Sequence, residues 1–463
     1  MKFLISLLFF AITNAIFCQV TIKGISRHPA TKFEIGTIGD YLSFEKQVFA
    51  ETVSDSMGRF QFDIDLDQVD KFFIKTNNLI GYLYAQPKST YYIEFTENKY
   101  SNFQTENEIE LVFVKLDTND INYKILSFEN WLDQSLNILY PLKEKNSGEF
   151  VKEIKNFRSA VNEIYKDEKS SYFNDYIKYS LGVQIEEIQD FASPSDVDKF
   201  IFYLYDTPVK WRNEKYFEFV KIFYDKYFYN QTLEERQEFI HLIDVGNVTS
   251  LLQELEKDTL IDNKELAEIV CLNTVSDLYL ERIISKSNLL FFLDKFILNS
   301  KNKTAILAAQ SIYSKYNYLD AGDKIPNYKL DQIKIIELSN KPIYIQFFNP
   351  SNKKCIAELA AMKKLYKNYG NYINFVTIYE SKKSFSNSEK TYIDQIQWNK
   401  TSVEKDHPIW KDLGVIEFPY YVYILPNLII GDVNALSPSP NGKYETIEKT
   451  LFEYKRLIDE YRD

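Results

Sequence analysis

The chain has 463 residues, 66 acidic against 55 basic, for a formal net charge of −11. That balance argues against nucleic acid and anionic membrane surfaces as partners, because both need a basic face. Three cysteines are too few for a disulfide framework, and His28, His241 and His407 lie far apart without ligand spacing, so no metal and no cofactor are expected.

At the start, Met1-Lys2, a mostly apolar run from Phe3 to Ile12, and small or polar residues at Thr13, Asn14 and Ala15 read as a secretory signal peptide over residues 1–18. Cleavage fits after Ala15 or after Cys18, where Gln19 becomes the new N-terminus. Lipid attachment at Cys18 is the alternative, with Ile16 and Phe17 standing where a lipobox wants small residues. The prediction is an exported protein of the periplasm or outer cell envelope. No later stretch reaches the roughly 18 apolar residues of a membrane-spanning helix. About 445 residues then remain, enough for two or three domains.

Residues 19–115 alternate in polarity, as in Val20-Thr21-Ile22-Lys23-Gly24 and Phe60-Gln61-Phe62-Asp63-Ile64. Period two means half-buried strands, and several short ones broken by turns predict a small antiparallel β-sandwich. Ser54 to Phe60 supplies a turn and then a strand, and Gly81 to Phe95 reads as two strands joined by a polar turn. Over residues 116–318 the period becomes helical: Tyr216, Phe217, Phe219, Val220 and Phe223, or Leu289, Leu290, Phe292, Leu293 and Phe296. Asp196 and Ser193-Pro194-Ser195, then Asn230-Gln231-Thr232, then Asp262-Asn263 offer caps and breaks between helices of a central all-α region. Cys271 sits in an apolar helical stretch and reads as a small buried hydrophobe.

Residues 319–463 alternate strand and helix, the pattern of an α/β module. Pro342 to Phe348 is a central strand, Lys353 to Tyr369 an amphipathic helix, Phe418 to Leu425 and Leu428 to Gly431 further strands, and Glu445 to Tyr461 a closing helix.

Between the central strand and its helix, Phe347-Phe348-Asn349-Pro350-Ser351-Asn352-Lys353-Lys354-Cys355 resembles a thioredoxin active-site turn, with Asn352 where the first cysteine of Cys-x-x-Cys stands. With the lead-in Gly322-x-x-x-Pro326, the module is similar to the TlpA-type thioredoxin-like family. The turn at Ser54 to Phe60 and the run Pro87 to Ile93 resemble the N-terminal β domain that precedes such modules in secreted Bacteroidetes proteins. The resemblance implies a C-terminal thioredoxin-like fold, a cis-proline at Pro419 facing the helix start, and Cys355 as the match to the second, buried cysteine. It also implies a degenerate site, since the first cysteine is the nucleophile of dithiol exchange and the second resolves the mixed disulfide. Gln346 stands where the family carries a buried acid, and a glutamine cannot relay protons.

Asparagine is a strong helix N-cap, so Asn352 is expected to keep the structural part of the missing cysteine's role. Lys353 and Lys354 flank it. The reading that follows is a thioredoxin-shaped envelope protein acting in binding or assembly on an envelope protein or peptide. The alternative is a monothiol thiol-disulfide oxidoreductase working through Cys355, its thiol activated by the helix dipole and the two lysines. Asn352-Lys353-Lys354-Cys355 also resembles the Thr-x-x-Cys of peroxiredoxins, but the threonine is absent and no arginine occurs between Arg282 and Arg456 to activate a thiolate. No Gly-x-Ser-x-Gly elbow, Walker loop or His-Glu-x-x-His helix is present.

Overall fold

Alternating residues near the N-terminus build two facing sheets, and the helical periodicity that follows packs onto one of them. The structure, a computed structural model, describes residues 19–27, 29–76, 79–95, 107–189, 194–331, 333–382, 384–415, 417–440 and 445–460. The expected signal peptide with Cys18 lies outside these residues, as do His28, Ser193, Asn441 and Gly442. The chain gathers into two compact units, Met1–Tyr313 and Ser314–Asp463.

Among the described residues of the first unit, nine strands form the sheets: β1 (Gln19–Ser26), β2 (Lys32–Ile38), β3 (Lys46–Val53), β4 (Arg59–Asp65), β5 (Asp70–Thr76), β6 (Leu79–Ala85), β7 (Thr90–Phe95), β8 (Asn107–Ile109) and β9 (Leu111–Lys115). One sheet has the order β4-β1-β7-β9 and the other β3-β2-β5-β6-β8. Their inward residues share one core, including Ile22, Phe33, Ile35, Phe62, Ile74 and Ile93, with the rings of Phe33 and Phe60 stacked at 4.0 Å. Most pairs are antiparallel, but β1–β7 and β6–β8 run parallel. The turn before β4 uses Asp55, whose Oδ1 accepts from the amides of Met57 and Arg59. Gly58 there has φ +77°, a conformation that favours glycine.

Among the described residues eleven α-helices follow: α1 (Ile121–Lys145), α2 (Ser147–Tyr165), α3 (Ser171–Ile188), α4 (Asp196–Tyr203), α5 (Glu214–Phe223), α6 (Tyr227–Asn230), α7 (Leu233–Asp244), α8 (Val248–Leu255), α9 (Lys264–Leu280), α10 (Lys286–Asn299) and α11 (Lys303–Tyr316), the last running across the boundary between the units. Side chains of Ser195, Thr232 and Asn263 cap α4, α7 and α9, and Thr232 forms a full capping box with Glu235. The apolar stripes close on one another: Phe128, Leu132, Phe157 and Phe173 belong to a single core of α1, α2 and α3. Cys271 is fully buried in α9.

Sheet and helices are joined by polar contacts as well as by packing. The Asn122 side chain on α1 accepts from the Tyr84 amide and donates to the Tyr84 carbonyl, both at 2.7 Å. On α5, the Glu214 carboxylate receives both the Lys71 ammonium and the Tyr84 hydroxyl.

The second unit is a layered α/β module. Its elements are β10 (Lys329–Leu330), β11 (Ile333–Lys334), β12 (Ile343–Phe348), α12 (Lys353–Tyr369), β13 (Asn374–Glu380), α13 (Asn387–Asp394), β14 (Asn399–Val403), α14 (Pro408–Asp412), β15 (Tyr420–Leu425), β16 (Ile429–Asp432) and α15 (Glu448–Glu460). The five-stranded sheet has the order β14-β13-β12-β15-β16. β12 pairs parallel with β13 and antiparallel with β15. Every residue of β12 is buried, as expected for a central strand covered on both faces. Tyr344 and Phe348 join Leu359 and Met362 of α12, Ile393 of α13 and Leu451 of α15 in one core. Ile343, Ile345 and Phe347 face the other way, toward Ile409 of α14 and Leu413 just after it. A central β12 feeding α12, with helices on both faces of a mixed sheet, is the thioredoxin-like fold that the sequence implied.

Candidate functional site at the start of α12

The chain leaves the buried strand β12 through a turn that proline favours at its second position. Asn349-Pro350-Ser351-Asn352 closes with the Asn352 amide donating to the Asn349 carbonyl at 3.0 Å. The Asn349 side chain accepts from the Ser351 amide at 3.0 Å. Four amides at the start of any helix lack partners within it. At α12, Asn352 is the N-cap: its Oδ1 accepts from the amides of Lys354 at 2.9 Å and Cys355 at 3.1 Å.

The other end of the same amide reaches across the site. Asn352 Nδ2 donates to the carbonyl of Phe418 at 3.3 Å, and the Phe418–Pro419 peptide bond is cis. One side chain thus joins the helix start to the facing loop. Lys353 and Lys354 are exposed, whereas Cys355 is fully buried.

The Cys355 sulfur accepts from the Asn349 amide at 3.4 Å. Burial pushes the thiol up to about 12; the Asn349 amide and the Lys354 charge pull it down by less, and Glu358 adds to the rise. The flanking lysines therefore do not activate this thiol, because desolvation outweighs them. Cys271 behaves alike, free and buried.

Gln346 is buried and fully engaged. Its Oε1 accepts from the Thr377 hydroxyl at 3.0 Å, and its Nε2 donates to the Tyr421 hydroxyl at 3.3 Å. Thr377 in turn accepts from the Trp398 indole at 2.7 Å. Tyr421 donates onward to Glu358 at 3.4 Å, and Glu358 also accepts from the Ser439 amide at 3.3 Å. Donors and acceptors run in one direction from Trp398 to Glu358, which suits a buried chain with each group partnered. Glu358 is 5% exposed, and burial raises its carboxyl above the usual range.

Sequence reasoning brought Asn352, Cys355, Gln346 and Pro419 to one end of the module, and the fold assembles them there. It missed Glu358 and Tyr421. A glutamate on an amphipathic helix reads as solvated, but Glu358 follows Cys355 by three residues and so lies on the same, buried face.

A second clamp holds the turn from outside. The Ser351 hydroxyl donates to Glu389 Oε1 at 2.6 Å, Lys382 pairs with the same oxygen at 2.9 Å, and Glu389 Oε2 accepts from the Ser386 amide at 2.8 Å. These contacts, the Ser351 hydroxyl first, hold the Glu389 carboxyl down at about 2.

Among the described residues no group of three or more His, Cys, Asp or Glu is placed to hold a metal ion. His407 instead caps α14, its Nδ1 accepting from the Ile409 amide. No described helix is long and apolar enough to cross a membrane.

No protein-family model and no curated protein matches the chain. Among solved structures, the thioredoxin domain of a thiol-disulfide oxidoreductase from Bacteroides vulgatus is similar at 17% identity, over 29% of this chain and 99% of that one, with a TM-score of 0.25. A thioredoxin-like protein from Bacteroides caccae is similar at 15% identity, over 52% of this chain and 92% of that one, with a TM-score of 0.28. An exposed lipoprotein thioredoxin from Streptococcus pneumoniae is similar at 17% identity, over 26% of this chain and 90% of that one, with a TM-score of 0.21. None of these likenesses bears on activity.

Proposed function

We propose that the chain is an exported cell-envelope protein whose thioredoxin-shaped module has lost dithiol redox chemistry and serves in binding or assembly. Its working parts are a β segment over 19–115, a helical segment over 116–318 and the module over 319–463. The observation that carries this reading is the double use of Asn352. Its amide oxygen satisfies the α12 amides, and its amide nitrogen holds the carbonyl of the cis-proline loop. A group so committed is a structural fitting, and it offers no electron pair to a disulfide.

Cys355 supports the same reading. A thiol pushed up to about 12 by burial is almost wholly protonated at pH 7, where an ordinary cysteine is a few per cent ionised. Burial then blocks approach to what thiolate remains. Exposed Ser351, with the half-buried Asn349, Asn352 and Phe418, is left as a thiol-free surface for an envelope protein or peptide.

Alkylation of the folded chain tests this directly. Iodoacetamide at pH 8 is expected to leave Cys355 unmodified over hours and to modify it within minutes once the chain is unfolded in guanidinium. Rapid modification of Cys355 in the folded chain, together with trapped mixed disulfides, would instead establish the monothiol oxidoreductase.

A further inference from the structure

A cavity of about 440 Å³ lies in the groove between α2 and α3 and is closed by α4. Its size falls within the roughly 300–1,000 Å³ of small-molecule sites. Its charge runs against that of the chain: Arg158, Lys166 and Lys178 line it, and among the described residues no aspartate or glutamate does. A cavity of about 520 Å³ against α7 and α8 shows the contrast, being lined by Glu234, Glu235, Glu238, Glu254 and Asp258. That acidic lining is what a net charge of −11 leads one to expect, and the basic lining is not.

The cations of the α2–α3 groove differ in how they are held. Lys166 pairs with Glu163 on the exposed face of α2. Arg158 is pinned by the buried Glu186 at 2.6 Å, and Glu186 also accepts from the Tyr203 hydroxyl at 3.1 Å. Lys178 is the exception. Its ammonium donates to the Tyr203 carbonyl at 3.3 Å and lies 5.5 Å from the centre of the Phe202 ring. Asp175, whose charge acts on it, is itself paired with Lys210. Burial lowers the Lys178 ammonium below its ordinary value, as expected for a cation half removed from water without a carboxylate partner.

Apolar groups complete the lining. Ile177 and Leu181 are buried in α3, while Phe202 of α4 is 60% exposed. Arg158 meets the hydroxyl end of Tyr203 through Glu186, and Lys178 meets the Tyr203 backbone carbonyl, so the two cations mark opposite ends of one residue that lines the groove.

The geometry points to a binding site for a small organic anion, a carboxylate or sulfate carried on an aromatic or other apolar body, with its acidic group on Lys178 and its body against Phe202, Ile177 and Leu181. Such a ligand supplies a carboxylate in direct contact with Lys178 and covers the exposed ring. This site is independent of the reading of the C-terminal module.

Calorimetric titration of the full chain with 2-naphthoate, with its neutral analogue 2-naphthamide, and with naphthoate at raised salt tests the site. A charge-assisted hydrogen bond in a partly buried site corresponds to roughly 10-fold to 100-fold in affinity. Naphthoate is expected to bind at one site, at least about 10-fold more tightly than the amide, and more weakly as salt rises. Lys178→Gln and Phe202→Ala are each expected to weaken naphthoate binding by about 10-fold with unchanged circular dichroism. Phe202 is exposed, so its variant keeps the fold intact even if Lys178→Gln does not. Equal affinity for acid and amide, absence of saturable binding, or naphthoate binding untouched by Phe202→Ala would overturn the assignment.

Discussion

Asn352 carries the site through two atoms of one amide. Replacing it with alanine removes an N-cap and strands the Phe418 carbonyl, so Asn352→Ala is expected to destabilise the C-terminal unit by about 1–2 kcal/mol in a denaturant titration. Asn352→Asp keeps the acceptor and adds a favourable charge at the helix N-terminus but loses the donor to the Phe418 carbonyl, and should recover only the capping part of that loss. An alanine variant as stable as the parent would show that the cap contributes nothing. The capping role was legible from sequence, because asparagine ahead of an amphipathic helix has few other uses. The bond to Phe418 was not, since 66 residues separate the partners. Glu358 was hidden for a different reason: its burial depends on Tyr421 and Ser439, which only the folded sheet and loop bring to it.

At the scale of elements, the turn after β12 is held from inside by α12 and from outside by α13. The outer clamp depends on an ionised Glu389, whose carboxyl is lowered from 4.5 to about 2. A depressed folded value means the stabilisation is complete above about pH 4.5 and fades as pH falls toward 2. The protection factors of the Ser351 amide and its neighbours, taken against the intrinsic exchange rate at each pH, should therefore fall across that window, and Glu389→Gln should remove the acid-dependent step. An unchanged acid profile in the variant would assign the step to other carboxylates. Strand and helix periods were readable in every zone, and so was the buried character of β12, whose run is apolar apart from Gln346. Strand direction was not: alternation looks the same in β1 whether its neighbour β7 runs parallel or antiparallel. The linker between β6 and β7 likewise carries the chain from one sheet to the other, which its polar residues do not reveal.

Across the whole molecule, long-range polar contacts decide what folds together. Within Met1–Tyr313, Asn122 bonds to both backbone groups of Tyr84, and Glu214 gathers Lys71 and Tyr84 from a sheet more than a hundred residues earlier. Asn122→Ala leaves a buried amide and carbonyl without partners and is expected to cost about 1–3 kcal/mol in that unit, seen as earlier loss of both sheet and helix signals in one transition. Loss of helix signal alone would show that the two layers melt separately. In the C-terminal unit the central claim is that a complete thioredoxin-like fold has been kept without its thiol chemistry. The most direct measurement is reduction of insulin by the full chain in the presence of dithiothreitol, read as turbidity against dithiothreitol alone. The parent chain and Cys355→Ser are both expected to match the background rate. Turnover above background that disappears in Cys355→Ser would contradict the account.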